Sequence, residues 1–139
     1  MEATLTLSPD TLSTAGIILL TIVAIESGGL FMLRVVRGQQ PATPFQRAFF
    51  RAGHAHAGVL VTLALVGLIL ADAAAVDGPR APFARNGIWL AAILMPAGFF
   101  LSAIGKGTTT PNRLILLLYA GGVSLALGVV SLGISLLTA

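Results

Sequence analysis

Both histidines of the chain lie in one short segment, Arg51-Ala52-Gly53-His54-Ala55-His56-Ala57-Gly58. Imidazole binds zinc, copper and iron, and it gains or loses a proton near physiological pH. A His-x-His spacing suits two ligands of one metal ion only if both rings point the same way. Residues two apart, however, point about 200° apart on an α-helix. On a regular helix, His54 and His56 therefore face different neighbours.

A single carboxylate interrupts the first apolar stretch, at Glu26 in Glu26-Ser27-Gly28-Gly29. An acidic residue at mid-span costs about 2.5–3.5 kcal/mol on insertion scales when lipid surrounds it. We therefore expect Glu26 to face the interior of a helix bundle. The adjacent Gly28 and Gly29 would let a neighbouring helix approach closely.

The depth of the polar groups predicts that they share one layer. At 1.5 Å per residue from the helix ends on one side, Glu26 lies roughly 16 Å deep, His54 roughly 15 Å and Tyr119 roughly 12 Å. Arg51 precedes His54 by about one turn. We therefore predict a ligand or proton site formed by Glu26, His54, Arg51 and Tyr119, and a possible metal site formed by His54, His56 and Glu26.

The continuity of the second helix through Gly53 decides this geometry. On an unbroken helix, His54 shares a stripe with Arg51 and Thr62 and faces Glu26, whereas His56 faces another helix or a partner subunit. If the helix breaks at Gly53, both histidines move to the membrane surface. A structural alternative stays open as well, in which Glu26 and His54 form a hydrogen-bonded pair that only sets helix register.

Composition determines the class of protein. Of the 139 residues, 56% are apolar and only 9% are charged, whereas a soluble domain carries about 25% charged residues. Such a chain has room for about four membrane spans of ~20 residues each. The sequence contains no cysteine, so a disulfide, a thiolate ligand and a thiol nucleophile are all excluded.

The expected architecture is all-α, with four transmembrane helices in an up-down bundle that forms one domain over residues 1–139. After a short polar leader, Met1 to Pro9, Asp10 or Thr11 can cap the first helix. Thr43-Pro44 and Thr110-Pro111 each suit a cap followed by proline, and Asn86 suits a third cap. These signals place the helices at about 11–37, 44–75, 86–104 and 111–137.

Loop charges predict the orientation. The basic residues that flank the first and third connections are Arg34, Arg37, Arg47, Arg51, Lys106 and Arg113. The opposite side has Arg80 and Arg85, together with the acidic residues Glu2, Asp10, Asp72 and Asp77. The positive-inside rule then places both termini on the non-cytoplasmic side. We expect a multi-pass protein of the cell (inner) membrane.

Four short spans with a glutamate in the first, Glu26, resemble the small multidrug resistance transporters. The Ala-Gly-His-Ala-His-Ala-Gly sequence of the second helix and the basic first connection differ from that family. The chain is therefore assigned to no family on this resemblance.

Three classes of function remain open. The first is a membrane protein whose Glu/His site binds a transition metal, haem or another small ligand, and both histidines near one carboxylate favour it. The second is a proton- or ion-coupled small transporter that works as a homodimer. The third is an accessory or structural subunit of a larger membrane complex. An enzyme is less favoured because no nucleophile or cofactor motif is present, and no nucleic-acid partner is expected.

Overall fold

The computed structural model describes residues 6–139, and within that range it contains four α-helices. They are α1 (Pro9–Val36), α2 (Pro44–Ala73), α3 (Ala81–Ser102) and α4 (Ile115–Leu137), and a short 3-10 turn (Gly78–Arg80) leads into α3. All four are long and apolar enough to cross a membrane, α3 together with its 3-10 turn. The structure thus confirms an all-helical chain and indicates a multi-pass membrane protein. Glu2 and the first part of the polar leader lie outside the described residues.

The start of α2 is the one predicted from Thr43-Pro44. The Thr43 hydroxyl accepts from the backbone N–H of Gln46 at 3.1 Å, and the Gln46 side chain accepts from the N–H of Thr43 at 3.1 Å. This reciprocal capping box satisfies two of the N–H groups left open at a helix start. In α1 the same cap-and-proline pattern lies at Ser8-Pro9, because Ser8 rather than Asp10 or Thr11 provides the cap.

The helix starts of α3 and α4 differ from the sequence expectation. Pro82 is tolerated in the first turn of a helix, so α3 begins at Ala81 and contains Asn86 instead of being capped by it. Asn86 donates to the carbonyl of Pro82 at 2.8 Å. Conversely, α4 begins only at Ile115. The Asn112 side chain donates a hydrogen bond of 2.9 Å to the carbonyl of Leu101, and this bond holds the turn before α4 at the end of α3.

Helix α2 packs between α1 and α3, and α4 packs mainly against α3. The α3–α4 contact is the closest, because glycines remove the side chains between the two backbones. A Cβ atom placed on Gly87 would lie 2.6 Å from Cα of Gly128, and one on Gly121 would lie 2.5 Å from Cγ of Met95. The Ser124 hydroxyl adds a hydrogen bond of 2.8 Å to the carbonyl of Gly87.

Polar groups tie the helix ends together on the side of the α2–α3 connection. The Asp72 side chain is only 4% exposed, and it accepts from Arg85 Nη1 at 2.5 Å and from the backbone N–H of Ser8 at 2.7 Å. One carboxylate thus joins the start of α1, the end of α2 and the start of α3.

A second polar tie holds the opposite ends of the helices. Buried Gln46 donates to the carbonyls of Ala103 and Gly105 at 2.9 and 2.7 Å. Phe50 lies beside it and stacks with Phe100 of α3 at a centroid distance of 5.6 Å. The start of α2 is therefore fixed to the end of α3.

Replacement of Asp72 by alanine is expected to lower the free energy of unfolding by about 3 kcal/mol, because it leaves the Ser8 N–H without its acceptor and removes the carboxylate partner of Arg85, which keeps only its longer contacts to backbone carbonyls. Reversible unfolding in mixed detergent micelles measures this change. Asp77→Ala is the matched control, since Asp77 is exposed and lies just beyond the same helix end. Equal stability of the two variants would show that the three-helix tie contributes nothing.

Candidate functional site

Helix α2 runs without interruption through Gly53. Gly53 is buried against α3, where an added Cβ atom would lie 2.9 Å from Cδ2 of Phe100 and 3.0 Å from Cβ of Phe99. The glycine therefore serves close helix packing and does not break the helix. Both histidines lie within α2, and the alternative with both at the membrane surface does not apply.

The His54 ring rests on the glycine pair of α1. A Cβ atom on Gly29 would lie 3.4 Å from Cε1 of His54, and one on Gly28 would lie 3.5 Å from Nδ1. A methyl group there would be in van der Waals contact with the ring, so a branched side chain would crowd it. Among the described residues, neither nitrogen of His54 has a hydrogen-bond partner, so the ring remains able to bind something else.

Glu26 is exposed on the surface of the chain, contrary to the expectation that it faces the interior. The reason is that α1 packs mainly on α2, through a stripe that includes Ile18, Ile25 and Met32. Glu26 follows Ile25 and is turned about 100° away from that stripe. Gly28, in contrast, is turned to the other side of the stripe, toward α3.

His54 is half-buried between α1 and α2 and also lines a groove on α2, and helical geometry turns the exposed Glu26 and Arg51 to the side of the α1–α2 pair away from α3. Glu26 is about one helical turn from Gly29, which contacts His54. Arg51 is exposed and lies about one turn before His54. A shallow groove continues this flank along α2, lined by His54, Ala55, Gly58, Val59, Thr62, Leu63 and Val66. We call this surface the α1–α2 flank.

His56 points to the other side of α2, as helical geometry predicts. Its Nδ1 lies 2.8 Å from the carbonyl of Ala52, and its ring packs against Phe99 of α3 at a centroid distance of 5.0 Å. Within residues 6–139, no group of three or more histidine, aspartate or glutamate side chains is placed to hold a metal ion. A metal at Glu26 and His54 would therefore need further ligands from outside the chain.

Tyr119 does not lie near the other predicted site residues. It is 62% exposed on α4, whereas the neighbouring Leu118 packs against Gly98 of α3. Because α4 packs mainly against α3 and the α1–α2 flank faces away from α3, Tyr119 belongs to a different surface.

A cleft between α1 and α3 was not anticipated from the sequence. It has a volume of about 390 Å³ and is lined almost entirely by apolar groups. From α1 it receives Thr14, Thr21 and Gly28, and from α3 it receives Trp89 and Phe100. The recurrence of small or hydroxyl residues every seven positions on α1 is the signal that could have located this face. Its lining offers no ionisable group, so it suits an apolar chain.

The sequence matches no protein-family model, and the comparisons with curated proteins and with solved structures found no similar chain.

The glycine pair should control the position of His54. Gly29→Val is expected to displace the His54 imidazole, because its Cβ alone would already be in van der Waals contact with Cε1 and Nε2, and two methyl groups would be added beyond it. Side-chain NMR signals of the two histidines in detergent provide the readout. The His54 signals should shift while those of His56, which packs on α3, stay in place.

Gly16→Val is the control on the same helix, because none of the described residues, apart from the adjacent backbone of α1, has an atom within 4 Å of its Cβ position. Unchanged His54 signals in Gly29→Val, or equal shifts in both variants, would contradict the contact.

Proposed function

We propose that this chain is a small membrane protein whose Glu26–His54 site binds a small ligand within the membrane, and that a transition metal fits its donor atoms best. The observation that carries the proposal is the unbroken course of α2, which puts the His54 ring on Gly28 and Gly29, one turn from Glu26. Ionisable residues at membrane depth are functional by default, because an apolar residue would be far less costly there.

The hydrogen bonding of the two histidines favours His54 as the ligand. The Nδ1 atom of His56 is hydrogen-bonded to the carbonyl of Ala52. Neither nitrogen of His54 is hydrogen-bonded to any of the described residues. One imidazole and one carboxylate suit zinc, copper or iron, and haem iron can accept the same imidazole. Arg51 can hold an anionic group of the ligand at the edge of the site, because its exposed guanidinium lies on the same flank.

We also propose that the four spans form an up-down bundle in the cell (inner) membrane with both termini on the non-cytoplasmic side. The excess of arginine and lysine around the α1–α2 and α3–α4 connections supports this orientation. In that orientation, the Asp72–Arg85 pair lies near the non-cytoplasmic face.

Metal analysis and an absorption spectrum of the protein purified in detergent test the ligand. The wild-type chain and His56→Ala are expected to retain metal or haem, and His54→Ala is expected to lose it. His56→Ala is a close control, because it removes an imidazole from the same helix but from the opposite side of it. No metal and no haem band in the wild-type chain, even after addition of zinc, copper or iron, would overturn the proposal.

A proton- or ion-coupled transporter is the second candidate, and the exposure of Glu26 at mid-span favours it. A carboxylate and an imidazole open to the same flank can exchange protons, since histidine changes charge near physiological pH. Proton flux into liposomes should then be lost in Glu26→Gln and retained in Asp10→Asn, whose side chain lies in the first turn of α1.

Equal flux in wild-type protein and Glu26→Gln would reject transport through this carboxylate. If metal binding is also missing and Glu26→Gln only impairs assembly, the chain is an accessory subunit of a membrane complex.

A further inference from the structure

We infer that a second copy of this chain covers the α1–α2 flank, so that Glu26 and His54 of two protomers meet across a two-fold axis. This inference names the partner that completes the site proposed above. Three features of the flank support it: the cost of its exposed carboxylate, its self-complementary charge and its small side chains.

Glu26 cannot remain against lipid without a substantial cost. It is exposed and is the one charged residue of α1 between Asp10 and Arg34, and it lies roughly 15 Å from the end of the helix at Val36. The short glutamate side chain cannot reach the headgroups from that depth, whereas Arg51 has a long side chain that can extend toward the nearer membrane face. Since lipid exposure costs a carboxylate about 2.5–3.5 kcal/mol, a protein surface is the better neighbour for Glu26.

The flank carries both the acid and the bases that such an interface needs. A two-fold interface places the same patch on both subunits, so a patch with groups of opposite character can satisfy itself. His54 packs at the level of Gly28 and Gly29, and Glu26 lies only about 4 Å farther along the axis. In a parallel pair of protomers, Glu26 of one copy therefore comes within about one turn of His54 of the other.

The shape of α2 on this flank permits close approach. Ala55, Gly58 and Thr62 lie along the shallow groove, and small residues of this kind recur where membrane helices pack. Apart from the adjacent backbone of α2 itself, no atom of residues 6–139 lies within 4 Å of a Cβ placed on Gly58.

The exposed face of α4 also has open glycines, at Gly122 and Gly133. However, Ile115–Leu137 contains no charged residue. Lipid can cover α4 without cost, so charge distinguishes the α1–α2 flank from it.

The pairing also explains how an incomplete ligand set becomes complete. One protomer offers one imidazole and one carboxylate on this flank, whereas a tetrahedral zinc site takes four ligands. Two protomers supply two imidazoles and two carboxylates. The expected stoichiometry is one metal ion for two chains.

Disulfide cross-linking in native membranes tests the dimer directly, because the chain has no cysteine of its own. Thr62→Cys places a thiol on the flank, and Val130→Cys places one on α4, where Val130 is 57% exposed. Mild oxidation should link Thr62→Cys into dimers and leave Val130→Cys monomeric. Cross-linking through Val130→Cys alone, or through neither position, would overturn the inference.

The contribution of Glu26 is measured in the same background. Adding Glu26→Leu to Thr62→Cys is expected to weaken dimerisation about threefold to tenfold, the range set by one or two interhelical polar contacts in a membrane, because leucine cannot make such a contact. Unchanged dimerisation would refute the role of the carboxylate. Cross-linking is scored without any metal, so a dimer that binds no metal leaves this inference standing and rejects the metal site. A monomer that binds one metal ion would support the metal site and overturn the dimer.

Discussion

The close contact between Gly53 of α2 and the phenyl rings of α3 is the constraint on which the remaining geometry depends. It lets α2 pass the His-x-His segment as a continuous helix that lies directly on Phe99 and Phe100. Because that helix is continuous, His54 and His56 must leave it on opposite sides. One ring then meets the glycines of α1, and the other meets α3. The two histidines are only two residues apart in the sequence, but they pack against different helices.

Polar ties at both ends of the helices complement the apolar packing between them. In a bilayer, hydrophobic burial does not drive helices together, so packing and hydrogen bonds must do so. Asp72 fixes three helix ends on one side, and Gln46 with its capping box fixes the other. Between these ties, α1 touches α2 along a narrow stripe and leaves the apolar cleft toward α3. The chain is therefore firmly tied at its ends and open along the sides of α1.

The open sides of α1 determine whether the ionisable residues lie in a closed core or at the surface. A helix enclosed on all sides would have directed Glu26 into a closed core, where a fixed hydrogen-bonded pair with His54 would be sufficient. Here Glu26, His54 and Arg51 share an exposed flank, and the one tyrosine lies elsewhere on α4. A ligand or partner that met this flank would find the carboxylate and the imidazole accessible from outside the chain.

The amino-acid sequence by itself determined the class, the number of spans, the Thr43 cap and the divergence of the two histidines. Each of these depends on composition or on the local geometry of one helix. Only the tertiary structure decided that Glu26 faces outward, that Tyr119 is remote and that a cleft separates α1 from α3. Periodicity shows which residues share a face of a helix, but not which neighbour that face meets. Ile25 and Glu26 are adjacent in sequence, and the packing of α1 onto α2 alone selects the first for the interior and the second for the surface.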